Sequence, residues 1–207
     1  VSPFPVTVTY RATDINGNSQ ICSFKVLVVD TQNPQFDADI LMPGNTTAQC
    51  NNIPAPFILT NDDVFDNCTP SQNLVITFTE TSTKCAGQAL CCFYSYAITR
   101  TWKVTDAFGN MLIHTQIINV QDTTDPLAQC KNVTVVLDKF GNAIITPSQI
   151  NNGSSDNCAS AQFLTYTLSQ TAFTCTDLGP NTVTLTVTDP CGNSSTCTAT
   201  VNIVEGL

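Results

Sequence analysis

The stretch ITRTWKVTDAFGN, residues 98–110, decides the fold class of this chain. Ile98, Arg100, Trp102 and Val104 fall on one side of an extended backbone, and Thr99, Thr101, Lys103 and Thr105 on the other. That period of two belongs to a half-buried β-strand. Asp-Ala-Phe-Gly-Asn then reads as a tight turn, with Gly109 supplying positive φ and the Asp and Asn side chains bonding nearby backbone. A return strand follows over 114–120. The phrase occurs twice more, as VTVTYRATDINGN (6–18) and VTLTVTDPCGN (183–193), with return strands over 22–29 and 197–204. Asp14, Asp106 and Asp189 thus recur at spacings of 92 (106 − 14) and 83 (189 − 106) residues. A β-sandwich of about 100 residues has this period. The expected fold is all-β: tandem β-sandwich modules in a rod-like array.

Pro34 and Pro126 follow the return strands in Asp30-Thr-Gln-Asn-Pro34 and Asp122-Thr-Thr-Asp-Pro126, where proline ends a ladder and forces an extended link. These stretches are the expected junctions. Residues 1–33 then hold the last two strands of an incomplete module, 34–124 a second module and 125–207 a third. Two strands cannot bury a core alone, so the first pair calls for further strands or a complementary partner molecule. Of the inward positions, Trp102 is expected in the core. Arg100, standing where the other copies carry apolar residues, is expected at the sandwich rim.

Seven Lys+Arg stand against 16 Asp+Glu, a formal net charge of −9. That balance argues against nucleic acid and anionic membrane as partners and is compatible with divalent cations. No apolar run approaches the ~18 residues of a membrane-spanning helix. Eleven cysteines without a C-x-x-C pair point to disulfides in an oxidising compartment, extracellular or cell-surface, rather than to zinc.

The segment YRATDINGNSQICSFKVLVVD (10–30) resembles the end of a hyalin-repeat module. Residues 48–56 (AQCNNIPAP), 66–68 (DNC), 78–81 (FTET) and 98–110 resemble an immunoglobulin-like repeat found in tandem in very long Bacteroidetes surface proteins. Residues 137–147 (LDKFGNAIITP), 151–158 (NNGSSDNC), 173–179 (FTCTDLG) and 181–197 resemble a sister repeat. The resemblance implies secreted adhesins and extracellular fibres, and no catalysis. Phe108 stands where such repeats often carry Cys, and Cys91-Cys92 are additional.

For the disulfides, Cys130 opens the first strand of the third module and Cys197 lies in its last, and such strands are commonly neighbours. One reading pairs Cys130 with Cys197 and Cys158 with Cys175, leaving Cys191; another pairs Cys158 with Cys191. Cys50, Cys68, Cys85, Cys91 and Cys92 are expected to form two bridges with one thiol over, and Cys22 to find its partner upstream of residue 1. Odd cysteines would suit links between modules or chains.

Calcium is the candidate cofactor. Asp66, Asp106, Asp122, Asp125, Asp156 and Asp189, with Asp62 and Asp63, gather at loops and junctions. Calcium wants carboxylate and carbonyl oxygens, which such loops supply. The competing reading is that these aspartates cap turns through their own backbone. Sequons at Asn45, Asn67, Asn132, Asn152 and Asn193 are expected by chance in an Asn/Thr-rich chain. The single His114 is expected to be structural, and no Ser/His/Asp set or phosphate loop can be assembled.

The functional expectation is a structural segment, stalk or fibre, of an extracellular surface adhesin or filament. Its partners would be neighbouring repeats, with self-assembly into a filament as one form. The alternative is a glycan- or protein-binding module using sandwich-end loops, with Phe93, Tyr94 and Tyr96 in the 84–96 insertion as the candidate surface.

Overall fold

The computed structural model describes residues 5–206. Its regular structure is nearly all β: β1 Val6–Thr13, β2 Ser19–Val26, β3 Gln35–Phe36, β4 Thr46–Gln49, β5 Val64–Phe65, β6 Val75–Ser82 and β7 Tyr96–Thr105. There follow β8 Met111–Gln121, β9 Val133–Val136, β10 Asn142–Ile144, β11 Thr165–Leu168, β12 Ala172–Thr174, β13 Gly179–Thr188 and β14 Ser194–Val204. Among the described residues one α-helical turn, α1 (Pro147–Ile150), is closed by a capping box between Thr146 and Gln149, and short 3₁₀ turns punctuate the loops. The chain gathers into two compact units. The first comprises Val1–Gly44, Pro56–Glu80 and Thr99–Gln116, the second Asn45–Ala55, Thr81–Ile98 and Ile117–Leu207. Strands β6, β7 and β8 contribute residues to both.

All three Val/Thr phrases fold as hairpins, β1–β2, β7–β8 and β13–β14. The turn glycines sit at φ +88°, +91° and +91° (Gly17, Gly109, Gly192), where a Cβ would be strained. In each, the leading aspartate accepts through Oδ1 the N–H groups two and four residues on, so the short side chain shapes the turn. A fourth Asp-x-x-Gly-Asn, 138–142, closes the same way through Asp138.

In the first unit, β3 pairs with β5 and faces the sheet carrying β6, β7 and β8. Val64, Leu74 and Val104 are buried between them, with Phe36, Leu59, Ile76 and Leu112 packed around. Trp102 is buried and donates from Nε1 to the Phe57 carbonyl at 3.0 Å, so the indole N–H does not go unpaired. Arg100 overturns the rim expectation: its side chain is only 4% exposed, and Nε donates to Glu80 Oε2 at 2.7 Å. A charged inward position is tolerated because the neighbouring strand supplies the carboxylate. His114 packs near Trp102, ring centroids 5.8 Å apart, and bonds the Pro43 carbonyl through Nε2.

The hairpin β1–β2 differs from its counterparts. Its register runs from Val6 opposite Val26 to Thr13 opposite Ser19, but Val6, Tyr10, Phe24 and Val26 are exposed. Tyr10 and Phe24 stack at 5.8 Å on the uncovered face. The alternating pattern is the same as elsewhere; what is missing, among the described residues, is an opposing layer.

In the second unit a sheet ordered β11-β13-β14-β9 faces the short pair β10–β12. Val183, Leu185 and Val187 of β13 are fully buried against Phe173, Ala143 and Ile150. Strand β9 runs parallel to β14, Val133 opposite Val201, and β4 runs parallel to β8, Thr46 opposite Ile118. Four disulfides close within this unit: Cys50–Cys158, Cys85–Cys92, Cys91–Cys191 and Cys130–Cys197.

Candidate metal centres

Three aspartates meet in the first unit, Asp30, Asp66 and Asp106, and three in the second, Asp122, Asp156 and Asp189. In each trio one carboxylate oxygen per residue lies within 4.8 Å of the other two. The members correspond one to one. Asp30 and Asp122 follow a return strand, Asp66 and Asp156 open Asp-Asn-Cys loops, and Asp106 and Asp189 lead the Asp-x-x-Gly-Asn turns.

Their hydrogen bonds correspond too. Asp30 Oδ1 accepts the Gln32 N–H, and Asp122 Oδ1 the Thr124 N–H. Asp66 Oδ2 accepts from Cys68 and Thr69, as Asp156 Oδ2 does from Cys158 and Ala159. Asn110 Nδ2 bridges Asp106 Oδ2 and the Asp30 carbonyl; Asn193 Nδ2 bridges Asp189 Oδ2 and the Asp122 carbonyl. Turn formation therefore accounts for one oxygen of each junction and loop aspartate. The other is buried without a hydrogen-bond partner: Oδ2 of Asp30 and Asp122, Oδ1 of Asp66 and Asp156.

Such a cluster is electrostatically costly. Two ionised carboxylates about 4.8 Å apart repel by roughly 3.5 kcal/mol at an effective dielectric of about 20. Burial, aided by the Asp156 and Asp189 charges and opposed by the Thr124 N–H, pushes the Asp122 carboxyl up to about 6. At Asp106 burial acts in the same direction, but the side-chain and backbone bonds from Asn110, with those from Phe108 and Gly109, hold the carboxyl below its ordinary value. The Cys68 thiol is pushed up by burial and then by the Asp30 and Asp66 charges. Tyr94 is raised likewise, by burial first and then by Asp156, Asp122 and Asp189.

The expected ligand set is thus partly regrouped. Asp66 and Asp106 come together with Asp30, a junction residue outside the expected ligand set. Its copy relation to Asp122, 92 residues on (122 − 30), matches the spacing of the first two turns and was the available signal. Asp122, Asp156 and Asp189 come together; Asp125 is exposed and lies outside the trio. Asp63 caps the 3₁₀ turn at 61–63 through Thr60, and Asp62 lies in that turn, so neither reaches a trio. A further grouping, Cys50 and Cys158 around Asp122, offers no thiolate because the two sulfurs are bonded to each other.

The cysteine pairing is corrected at two points. Cys130 joins Cys197. Cys158, however, joins Cys50 rather than Cys175 or Cys191, and Cys191 joins Cys91. Cys175 is a free, exposed thiol beside the Gly141 carbonyl. Ala-Gln-Cys50 repeats Ala-Gln-Cys130, but the strand position that supplies Cys197 to Cys130 holds His114 in the other copy. Cys50 therefore lacks that partner and bonds Cys158. The adjacent Cys91 and Cys92 have separate fates, Cys92 closing a short loop to Cys85. Cys22 and Cys68 carry free thiols, so the five cysteines at 50–92 do not form two bridges among themselves.

The aromatic insertion is less available than expected. Tyr94 is 5% exposed and belongs to the core of the second unit. Phe93 and Tyr96 lie beneath Lys84, whose Nζ stands 3.8 Å from the Phe93 ring centroid and 5.2 Å from that of Tyr96. A cleft of about 240 Å³ remains there, lined by Asn51, Lys84, Phe93, Tyr96 and Asn157 among others. Three of the sequon asparagines have structural work: Asn193 as above, Asn45 accepting from Ile117 and Asn132 from Thr200.

No family model and no curated protein matches the chain. Among solved structures it is similar to human mucin-like protocadherin EC1-2, at 14% identity and a TM-score of 0.35 over 85% of this chain and 100% of that one. It is similar also to mouse clustered PcdhgC3 EC1-3, at 13% identity and 0.37 over 97% of this chain and 77% of that one. A third is human protocadherin-24 EC1-2, at 10% and 0.35 over 86% and 100%. Likenesses of this strength assign neither ligand nor role.

Proposed function

We propose that this chain is a structural repeat segment, stalk or fibre, of an extracellular surface adhesin or filament of the hyalin-repeat, Bacteroidetes type. The observation that carries the reading is the internal repetition. The same hairpin, loop aspartate and junction aspartate recur with the same hydrogen bonds, as in a protein built by stacking one module. Four disulfides within 50–197 support an oxidising, extracellular setting. Among the described residues no helix is long and apolar enough to cross a membrane. The role is that of a folded spacer whose partners are neighbouring repeats, and it involves no catalysis.

Electron microscopy of the native, unreduced protein tests this. Ordered fibres with an axial repeat of one or two modules would make it a filament subunit. Isolated thin rods would make it a stalk. Compact particles with neither form would overturn the reading.

A further inference from the structure

The turn Asp-x-x-Gly-Asn needs only one aspartate. Asp14 and Asp138 satisfy it alone, both exposed to solvent. At Asp106 and Asp189 the identical turn is joined by two more aspartates that the turn does not use. Nothing in folding rewards that addition: it buries like charges together and leaves oxygens unpaired. Asp30 is 7% exposed and Asp122 5%, and the Oδ2 of each is unpartnered and belongs to a residue of its trio. The same atoms are left over in both copies, Oδ2 at the junction and Oδ1 in the loop.

We infer that each trio is a divalent-cation site, and that the ion it takes is calcium. The donors are hard carboxylate oxygens, gathered within 4.8 Å of one another, a spacing on the scale of a calcium coordination shell. Calcium tolerates irregular oxygen cages and completes its shell with water, whereas magnesium demands near-ideal octahedral geometry and dehydrates reluctantly. The bound ion adds a tie among three pieces of chain: the exit of a return strand, the Asp-Asn-Cys loop and the hairpin turn. This holds whether the protein forms a stalk, a fibre or neither.

Calorimetric titration of calcium chloride into the unreduced chain, stripped of metal, tests the inference. Two equivalents should bind, in the 10⁻⁴–10⁻³ M range of extracellular calcium modules or tighter. Asp30→Asn should remove one equivalent and Asp122→Asn the other, while Asp14→Asn and Asp138→Asn retain both. Asp66→Asn and Asp156→Asn repeat the test on different loops should either junction variant lose its strand signal in circular dichroism. Terbium emission excited through tyrosine should fall in Asp122→Asn and persist in Asp30→Asn, since Tyr94 adjoins the second trio. Absence of calcium binding by the wild-type chain through the millimolar range would overturn the inference, as would unchanged stoichiometry in both junction variants. Magnesium binding as tightly as calcium would overturn the assignment of the ion.

Discussion

The Asp30–Asp66–Asp106 and Asp122–Asp156–Asp189 trios match in their carboxylates and differ in their fastening. Around the second trio both loops are held covalently, Cys158 to Cys50 and Cys191 to Cys91. Around the first, Cys68 is a free thiol, and Phe108 stands where Cys191 stands. Yet the loop hydrogen bonds are the same. The difference teaches that short-range bonds from aspartate oxygens to N–H groups set the loop shape. The disulfides restrict the unfolded chain without moulding the site.

The largest effect should come from removing a long bridge. Cys91→Ser with Cys191→Ser removes a bridge of sequence separation 100; because Cys130–Cys197 already shortens the path between them, it is worth about 4 kcal/mol in the chain-entropy account. Hydrogen exchange should accelerate over β13–β14 and 154–159 while 61–76 keeps its protection. Equal loss in both regions would break the contrast between the two units.

Next come the corresponding core positions, Trp102 and Leu185, each two residues before a buried valine (Val104, Val187) of its hairpin strand. Trp102→Ala should cost about 3–5 kcal/mol and Leu185→Ala about 2–5 kcal/mol in urea unfolding. A clearly smaller loss for Trp102 would mean that the first unit does not depend on its indole as the second depends on its leucine.

Arg100 sharpens the same contrast, because the second unit has the apolar Val183 at that position. Glu80→Gln should destabilise the chain by about 1.5–3 kcal/mol, the range for hydrogen bonds to charged groups. Replacing Arg100 and Glu80 together by Val and Thr should recover much of that loss. A double variant as unstable as the single would show that the guanidinium's other surroundings matter more than this pair.

Smallest, and meant to be equal, are Gly109→Ala and Gly192→Ala. Each forces a Cβ into left-handed backbone for about 1–2 kcal/mol. Melting temperatures that diverge strongly would refute the equivalence of the two turns.

Much of the fold was legible because its determinants are local. Val/Thr alternation, the turn glycines and the aspartate bonds to N–H groups within four residues all act over a few positions, and each hairpin follows from them. Arg100 resisted because its burial depends on Glu80, twenty residues earlier on the adjacent strand. The cysteine pairs resisted for the same reason: which sulfurs meet across separations of 100 and 108 depends on where whole loops dock. The metal candidates were half legible. Asp66, Asp106, Asp156 and Asp189 are placed by their loops and turns and Asp30 is signalled only by its spacing from Asp122, while Asp125 is set aside only by seeing that it stays outside the trio.

The three long disulfides overlap in sequence, and this changes the chain as a tether. Cys50–Cys158, Cys91–Cys191 and Cys130–Cys197 do not enclose separate loops. Between Cys50 and Cys197 lie 147 residues (197 − 50) of backbone, but the shortest covalent route crosses from 50 to 158, runs back to 130 and crosses to 197. Only 28 residues (158 − 130) remain on that route. A pull along the chain, even one that unfolds every strand, could draw out that short path and no more, at ~3.3–3.6 Å per residue. Oxidised, the segment extends no further than that short path; reduced, it regains about five times its length (147 against 28 residues).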